Sequence, residues 1–444
     1  MLKVSWFPEL TPQEKIIEEK ILDIIKKNYQ QVGYTPIETP AVERNQVLTA
    51  KGWNEVSKQI FWLYGLAQGC EKDTKDYSLH FDLTVPFARY VVDHKGELNF
   101  PFKRSQIQKV WRGERAQKWR FREFYQADID VIWNETRWEN QMNSDENNLQ
   151  NLFQSPNLFY DAEIIFTLVK TLKDIFQNLS LDYSFKVRLN NKKIISWFIK
   201  DLNLEDKIIE ITTIIDKKDK VSPEEFVKLL EKEALSQDQI NKIQQFINQD
   251  LQTAEKLSTN EKYLTGLEEL KQVIKFLEQL GISEYEVDFG IVRGLDYYTW
   301  TVFETFIDEE RQLGSIASGG RYENFTKFID PKTNFSGVWG SIGVSRLESF
   351  IFDKIQLNQK TTSEYLILNF PETTTQGLSL FTKFLKEWKK VEFYPTADKL
   401  KKQLKYADKK WIKYCIILGK NELNENCYIL KNMETWEQEK IPLK

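Results

Sequence analysis

The chain is poor in cysteine and in long apolar runs. Cys70, Cys415 and Cys427 are the only cysteines among 444 residues, and they are far apart and odd in number, which excludes a disulfide framework and a CxxC metal site. No window of about 18 apolar residues occurs, and the N-terminus lacks a basic segment followed by an apolar run. We therefore expect neither secretion nor membrane spanning, and predict a cytoplasmic protein.

A strong charge of one sign is also lacking. The net charge is −4, with 29% charged and 41% hydrophobic residues, as in a soluble globular protein of two or three domains. Because the overall field does not attract nucleic acid, any contact with RNA must use a local basic patch.

The stretch from Phe102 to Trp133 predicts two long strands joined by a charged loop. The first strand runs to about Trp111, and the second runs from Phe121 to Ile132. Alternation places five side chains on one face of the second strand: Arg122, Phe124, Gln126, Asp128 and Asp130. Buried carboxylates without a partner are costly, so this face requires water or a polar ligand.

A solvated sheet face is the alternative interpretation of that hairpin, because charged faces are ordinary in antiparallel sheets. The loop argues against it. Four cations crowd beside the carboxylates: Arg112, Arg115, Lys118 and Arg120. Cations next to carboxylates suit a zwitterion and a polyphosphate bound together.

Other stretches indicate the organisation of the chain. A capped helix is predicted from Thr11 to about Tyr29, and Pro36 and Pro40 exclude a central strand after it. Residues 134–157 are rich in Asn, Gln, Glu and Ser and predict a mobile surface insertion. Residues 192–280 are helical in pattern, and residues 314–325 predict a glycine-rich turn into a helix. From residue 361, strands alternate with helices, which predicts a small domain with a mostly parallel sheet.

Four stretches, in order along the chain, carry a resemblance to a known family. RGERAQKWRFREFYQADID, within the hairpin, resembles motif 2 of the class II aminoacyl-tRNA synthetases and in particular of the histidyl-tRNA synthetase family. LHFDLTVPFARY at 79–90 and VRGLDYYTWTVFE at 292–304 resemble two further segments of that family. GVWGSIGVSRL at 337–347 resembles motif 3.

The resemblance implies an α+β fold. A class II catalytic domain with an antiparallel sheet is expected over residues 1–350, with a helical insertion at about 192–280 and the mobile insertion at about 134–157. An α/β anticodon-binding domain is expected over residues 361–444. The family also implies a homodimer, whose interface is built by the motif 1 segment that contains Pro40.

The implied activity is that of a histidine–tRNA ligase. L-histidine and ATP give histidyl-adenylate and diphosphate, and the histidyl group then passes to the 3′ end of tRNA(His). The family implies that Arg112 and Arg293 act on the α-phosphate, that Glu114 seats the adenine and that Arg346 holds the γ-phosphate. Mg²⁺ is expected to accompany ATP on phosphates and water, without metal ligands from the protein.

The resemblance also implies the residues that bind the amino acid. Three of them are expected to hold the head group of histidine: Asp82, Thr84 and Gln126. For Asp82 or Thr84, an ordinary helix cap is the alternative. Asp130 and Tyr298 are expected to bind the imidazole, since an acid and a hydroxyl can serve its two nitrogens. Tyr297 is a candidate for the same pocket, although adjacent side chains of an extended segment face opposite ways.

Contacts with tRNA are implied at two places. Arg115 and Gln117 are expected to touch the acceptor end. In the C-terminal domain, the lysines between residues 399 and 410 are candidates for contacts with RNA phosphates, with a solvated lysine-rich helix face as the alternative.

Two other functions are weighed against this one. The regulatory paralogue of ATP phosphoribosyltransferase shares the fold and binds histidine, but it normally lacks the C-terminal domain and degrades motifs 2 and 3, whereas this chain keeps Arg112, Arg293 and Arg346. A plain RNA-binding protein is disfavoured because the basic residues concentrate beside carboxylates rather than along an aromatic-lined groove.

Glycine is scarce at 18 residues, while tryptophan is abundant at 13. Eleven tryptophans stand where the family pattern has glycine: Trp6, Trp53, Trp62, Trp119, Trp133, Trp197, Trp300, Trp339, Trp388, Trp411 and Trp436. We hypothesise that these are UGA codons which the organism reads as glycine, because restoring them brings glycine to about 6.5%, near the usual figure of about 7%. Real tryptophan is the alternative, but it would overpack or strain the fold repeatedly.

Overall fold

A computed structural model of the chain describes residues 3–50, 59–63, 76–113, 118–134, 158–292, 298–356 and 360–443. The chain divides into two compact units: Leu22–Ile351 together with Met1–Pro8, and Phe352–Lys444 together with Glu9–Ile21. Within the described ranges, no helix is long and apolar enough to cross a membrane. The fold is α+β, as predicted.

The first part of the chain ends in the predicted hairpin. Its elements, in order, are α1 (Pro12–Gln31), β1 (Thr35–Pro36), β2 (Val42–Arg44), α2 (Asn45–Leu48), β3 (Phe61–Leu63), β4 (Tyr77–Leu79), α3 (Thr84–His94), β5 (Phe102–Trp111) and β6 (Glu123–Asn134). At the start of α1, the backbone N–H groups of Thr11 and Glu14 donate to each other's side chains, which confirms the predicted cap.

Residues 158–292 combine helices with two strands. In order they are α4 (Phe159–Asn178), β7 (Phe185–Asn191), α5 (Lys192–Asp201), α6 (Ile208–Ile215), α7 (Pro223–Lys232), α8 (Gln237–Ile247), α9 (Leu251–Ala254), α10 (Glu261–Gln279) and β8 (Tyr285–Val287). Helix α7 begins as the sequence predicts, with Ser222 accepting from the backbone N–H of Glu225 and Pro223 in the first turn. The predicted insertion at 134–157 lies, apart from Asn134, outside the described residues.

The following segment returns to the sheet with β9 (Tyr298–Ile307), β10 (Ala317–Tyr322), β11 (Phe335–Gly343) and then α11 (Val344–Lys354). The prediction of a glycine-rich turn into a helix at 314–325 is wrong, because β10 occupies the middle half of this stretch. Its glycines serve close packing between strands. A Cβ on Gly319 would lie 2.1 Å from the carbonyl oxygen of Trp339, and one on Gly320 would lie 2.6 Å from that of Thr301.

One eight-stranded sheet organises this unit, in the order β1-β5-β6-β11-β10-β9-β7-β8. The pairs β1/β5 and β7/β8 are parallel, and the other pairs are antiparallel. A small antiparallel sheet, β2-β4-β3, lies apart from it in strand order. Strand β6 therefore lies between β5, its hairpin partner, and β11, which is about 200 residues further along the chain.

The C-terminal unit contains β12 (Tyr365–Ile367), α12 (Thr374–Lys386), β13 (Val391–Phe393), α13 (Leu400–Lys410), β14 (Tyr414–Ile417), α14 (Lys420–Asn424), β15 (Cys427–Asn432) and β16 (Gln438–Pro442). Its sheet order is β13-β12-β14-β15-β16. The predicted alternation is present, but the sheet is half parallel rather than mostly parallel. Helical crossovers align β12, β13 and β14, whereas short connections make β14/β15 and β15/β16 antiparallel.

Candidate active site

Three neighbouring strands present polar side chains on one face of the large sheet. In the register of β5 and β6, Arg104 lies opposite Asp130 and Gln106 lies opposite Asp128. On the other side of β6, Trp339 of β11 lies opposite Asp130. Since directly opposed residues in antiparallel strands project from the same face, this register collects the polar residues of β5, β6 and β11 in one place.

The predicted carboxylates of β6 are buried there beside an internal cation. Arg104, Asp128 and Asp130 are all fully buried. Arg104 Nε lies 2.8 Å from Asp130 Oδ2, and Arg104 Nη2 lies 3.9 Å from Asp128 Oδ2. The guanidinium also lies over the ring of Phe87, 4.3 Å from its centroid. Arg104 is not among the residues predicted for the site, although the polar alternation of Arg104, Gln106 and Gln108 in β5 indicates a polar strand face.

The ion pairs do not satisfy the hydrogen-bonding capacity of this cation. Within the described residues, none of the three guanidinium nitrogens of Arg104 has a hydrogen-bond partner, because the 2.8 Å contact with Asp130 lacks hydrogen-bond geometry. Two carboxylates therefore share one cation. The single positive charge of Arg104 balances only one of the two carboxylates when both are ionised. The site can therefore accept a further hydrogen-bond donor from a ligand.

The electrostatics of Asp130 suit a group that exchanges a proton near neutrality. Burial raises the pKa of Asp130 to about 7, and the nearby Asp128 also raises it, while Arg104 and a hydrogen bond from Tyr322 oppose the rise. The Tyr322 hydroxyl donates to Asp130 Oδ1 over 2.7 Å. Tyr322 was also missed from the sequence, because its segment had been interpreted as a turn.

Asp128 has its own donors. Burial raises its pKa, and the positive charges of Arg104 and Arg112 oppose this rise. The indole N–H of Trp339 donates to Asp128 Oδ2 over 3.0 Å, and the Gln126 amide contacts Oδ1 at 3.4 Å. Gln126, one of the predicted histidine-binding residues, thus lies on the same buried face as Asp128 and Asp130.

Aromatic rings line the same region. Tyr298, at the start of β9, is buried and stacks on Trp339 with 6.2 Å between ring centroids. Tyr298 and Tyr322 are paired across β9 and β10 and belong to one apolar cluster with Trp339 and Ile132. The structure therefore brings the predicted pair Asp130 and Tyr298 into one neighbourhood, with Tyr322 between them in the strand order.

Asp82 and Thr84, two of the residues predicted to hold the head group of histidine, lie at the start of a helix. Thr84 begins helix α3, and Asp82 Oδ1 accepts from the backbone N–H of Val85 over 3.2 Å. The helix cap that was the alternative interpretation of Asp82 is therefore present, because a carboxylate before a helix satisfies one of its unpaired N–H groups. Both side chains are buried.

Arg112 connects this helix start to the hairpin. Its Nε donates to the carbonyl oxygen of Phe81 over 3.0 Å, and its guanidinium lies 5.0 Å from the ring centroid of Phe124. Because its charge also acts on Asp128, Arg112 is close to both the segment of Asp82 and the carboxylates of β6.

Arg346 lies in the first turn of α11, and its Nη1 donates to the carbonyl oxygen of Ser315. The preceding Ser345 accepts from the backbone N–H of Tyr125 over 3.0 Å. Helix α11 is thereby tied to β6.

Five predicted site residues lie outside the described residues: Glu114, Arg115, Gln117, Arg293 and Tyr297. In the part of the chain that is described, no group of three or more His, Cys, Asp or Glu side chains could hold a metal ion.

In the C-terminal unit, helix α13 borders a groove of about 810 Å³ that is lined by Lys399, Leu400, Lys401, Leu404, Lys405, Asp408 and Trp436. Two of the predicted RNA-binding lysines are engaged elsewhere, since Lys402 pairs with Asp398 and Lys410 pairs with Glu392, both at 2.9 Å. The lysines that line the groove are therefore the better candidates.

Comparisons with known proteins agree with this arrangement. A family model described as histidyl-tRNA synthetase matches residues 151–342, and one described as an anticodon binding domain matches residues 368–444. A histidine–tRNA ligase of Clostridium tetani is 35% identical over 98% of this chain and 95% of its own length, and one of Clostridium acetobutylicum is 36% identical over 98% and 96%.

Solved structures agree as well. The crystal structure of histidyl-tRNA synthetase from Nostoc sp. PCC 7120 superposes with a TM-score of 0.85 at 32% identity, covering 99% of this chain and 96% of that one. A Bacillus halodurans structure, titled as an ATP phosphoribosyltransferase regulatory subunit/histidyl-tRNA synthetase, has a TM-score of 0.69 at 21% identity over 90% and 95%, and shows a shared fold only. The motifs, the sheet and the full-length similarity together establish that this chain belongs to the histidyl-tRNA synthetase family.

Proposed function

We propose that the chain is a histidine–tRNA ligase, which forms histidyl-adenylate from L-histidine and ATP and then transfers the histidyl group to tRNA(His). The observation that carries the proposal is the full-length similarity to proteins of that name, at 35% and 36% identity. Both steps are transfers at a mixed anhydride, so catalysis consists mainly of positioning and of stabilising charge on phosphorus.

In this proposal the buried face of β6 recognises the amino acid. Asp130 accepts a ring N–H of histidine, and Tyr298 serves the other ring nitrogen. The carboxylate can do so because it already shares Arg104 and Tyr322 as partners, which favour its ionised form. Gln126, Asp82 and Thr84 hold the head group of histidine, and Tyr297 is a further candidate for binding it.

ATP binds at the arginines. Arg112 and Arg293 stabilise charge on the α-phosphate, Glu114 seats the adenine, and Arg346 holds the γ-phosphate. Mg²⁺ arrives with ATP and is held by phosphate oxygens and water, as is usual for this ion. Arginine suits these positions because its planar fork matches phosphate oxygens.

For tRNA, Arg115 and Gln117 contact the acceptor end, and Lys399, Lys401 and Lys405 beside α13 contact RNA phosphates. We further propose that the protein is cytoplasmic and works as a homodimer, with the segment from β1 to β2 at the interface. Strand β1 lies at an edge of the eight-stranded sheet, and an edge strand can pair with a second copy.

Histidine-dependent exchange of diphosphate into ATP tests the proposal. The eleven-glycine chain is defined as this sequence with glycine at each of the eleven tryptophan positions named above. We expect it to support exchange with histidine and with no other amino acid, and we expect Asp130→Asn in that chain to need much more histidine. A folded eleven-glycine chain that binds histidine without exchange would instead indicate the regulatory paralogue of ATP phosphoribosyltransferase.

A further inference from the structure

Tryptophan occupies backbone conformations that favour glycine. Ten non-glycine residues in the described part of the chain have positive φ, and five of them are tryptophan: Trp6, Trp119, Trp388, Trp411 and Trp436. Their φ values lie between 57° and 68°. All five belong to the set in which the sequence pattern expects glycine. A residue with a Cβ is strained in this region, and a bulky one is a clear outlier.

Two of these positions have the hydrogen bonds of a glycine-terminated helix. After α12, the N–H of Trp388 donates to the carbonyl of Leu385, and that of Lys389 donates to Phe384, both over 3.0 Å. After α13, Trp411 and Ile412 repeat the pattern. This is the Schellman arrangement, whose left-handed residue is usually glycine. The indole of Trp388 is 94% exposed, so packing does not account for it.

The other three positions are turns or loops. Trp436, with φ of 64°, lies between β15 and β16, where the N–H of Asn432 donates to the carbonyl of Glu437. Trp119 lies in the loop between β5 and β6, and Trp6 precedes α1. Trp6 and Trp436 are 43% and 58% exposed. Tight turns with positive φ are ordinary places for glycine and costly places for an indole.

A sixth tryptophan of the set lies inside the candidate active site. Trp339 is paired with Gly320 of β10, in a part of the sheet where Gly319 and Gly340 already leave no room for a Cβ. Its indole fills the space between Asp128, which accepts its N–H, and Tyr298, on which it stacks. A bound histidine ring would need similar surroundings, with a buried carboxylate to accept its N–H and a tyrosine beside it. Asp130, the proposed acceptor, lies opposite Trp339 in the strand register.

We propose that the indole of Trp339 occupies the pocket of the substrate ring, and that the protein made by the organism carries glycine there, as at the five tryptophans with positive φ. The codon at these positions is then read as glycine in that organism. Glycine at position 339 opens a cavity bounded by Asp128, Asp130, Tyr298 and Tyr322, and so sets the specificity of the site. The assignment of that cavity to histidine rests on the function proposed above.

Mass spectrometry of peptides from the native protein tests the glycine assignment directly. Peptides that span positions 119, 339, 388, 411 and 436 should carry glycine, and tryptophan in them would overturn the inference. This measurement does not depend on the proposed activity.

Thermal unfolding of recombinant variants tests the backbone argument. Trp388→Gly, Trp411→Gly and Trp436→Gly should each raise the Tm by about 1–2 °C, whereas alanine at the same positions should leave it nearly unchanged, because alanine keeps the Cβ. The control is Trp111→Gly, which should lower the Tm, since Trp111 donates to Glu123 and lies beside His80. Equal effects of glycine and alanine would refute the argument from φ.

Histidine binding, measured by calorimetry, tests the pocket. The eleven-glycine chain should bind histidine at least ten times more tightly than the same chain with tryptophan retained at position 339. Equal affinities would refute the assignment of the pocket. Tight binding without diphosphate exchange would leave the pocket in place and refute the proposed ligase activity, so the two failures are distinguishable.

Discussion

We expect the buried guanidinium of Arg104 to contribute strongly to the stability of the fold. Replacing Arg104 by methionine removes the charge that lies 2.8 Å from Asp130 and 3.9 Å from Asp128, and leaves both carboxyls fully buried. At an effective dielectric constant of about 20, the closer attraction amounts to ~6 kcal/mol before desolvation is counted. Removing one partner of such a buried pair lowers the free energy of unfolding by about 3–5 kcal/mol.

The pH dependence of this loss has a definite sign. Without Arg104, the pKa values of Asp128 and Asp130 rise further above those of the unfolded chain, because burial already raises them and Arg104 opposes the rise. A carboxyl with a raised pKa in the folded state stabilises the fold less as the pH rises from the unfolded value towards the folded one. The destabilisation by Arg104→Met should therefore be small near pH 4. It should grow as the pH passes about 7, where Asp130 ionises in the unsubstituted chain, and reach its full size only above the higher pKa that Asp130 has in the variant.

Urea denaturation at pH 5 and pH 8 measures this difference. The matched control is Arg311→Met, because Arg311 is half exposed and lies 3.6 Å from Asp308, so its removal should cost at most ~1 kcal/mol at either pH. Both variants belong in the eleven-glycine chain. A loss for Arg104→Met that is equal at the two pH values, or larger at pH 5, would refute the charge argument.

Further predictions concern activity. Asp130→Asn should raise the KM for histidine by roughly 10–100-fold in diphosphate exchange, because a hydrogen bond to a charged acceptor contributes about 1.5–3 kcal/mol. In the unsubstituted eleven-glycine chain, kcat/KM for histidine should fall as the pH drops below about 7, where Asp130 takes up a proton, and Asp130→Asn should abolish that contribution. Tyr322→Phe should shift this fall in kcat/KM to higher pH. The hydrogen bond from Tyr322 favours the ionised carboxylate, so its loss raises the pKa of Asp130. Lys401→Glu with Lys405→Glu should raise the KM for tRNA and leave exchange unchanged, and an effect on exchange would contradict the location of the RNA contact in the C-terminal unit.

Local patterns were sufficient for several elements. Thr11 and Glu14 predicted the start of α1, and Ser222 with Pro223 predicted that of α7, because a cap depends on residues three positions apart. Alternation predicted the strands of the hairpin and the shared face of Gln126, Asp128 and Asp130. Both features depend only on residues that are close together in the sequence.

Errors arose where a local pattern had two meanings. Gly319 and Gly320 suggested a turn, but they lie in β10. Glycine is needed there because the neighbouring strands approach too closely for a side chain. Asp82 and Thr84 suggested an extended segment, but Thr84 begins α3 and Asp82 accepts from the backbone N–H of Val85, while their role in binding histidine stays a prediction. In both cases the residue type was informative, and the surrounding fold decided between its possible uses.

Residue type and short spacing along the chain were enough to predict the family, the motif order, the capped helices and the polar face of the hairpin. The contacts of that face depend on the tertiary fold. Arg104 contacts Asp130 because the two residues lie opposite each other in β5 and β6. Tyr322 is 192 positions away in the sequence and contacts Asp130 because β10 lies close to β6 in the sheet. The conformation of Trp388 and Trp411 likewise depends on how each helix ends. Sheet order and backbone conformation come from the packing of the whole unit, which no local pattern specifies.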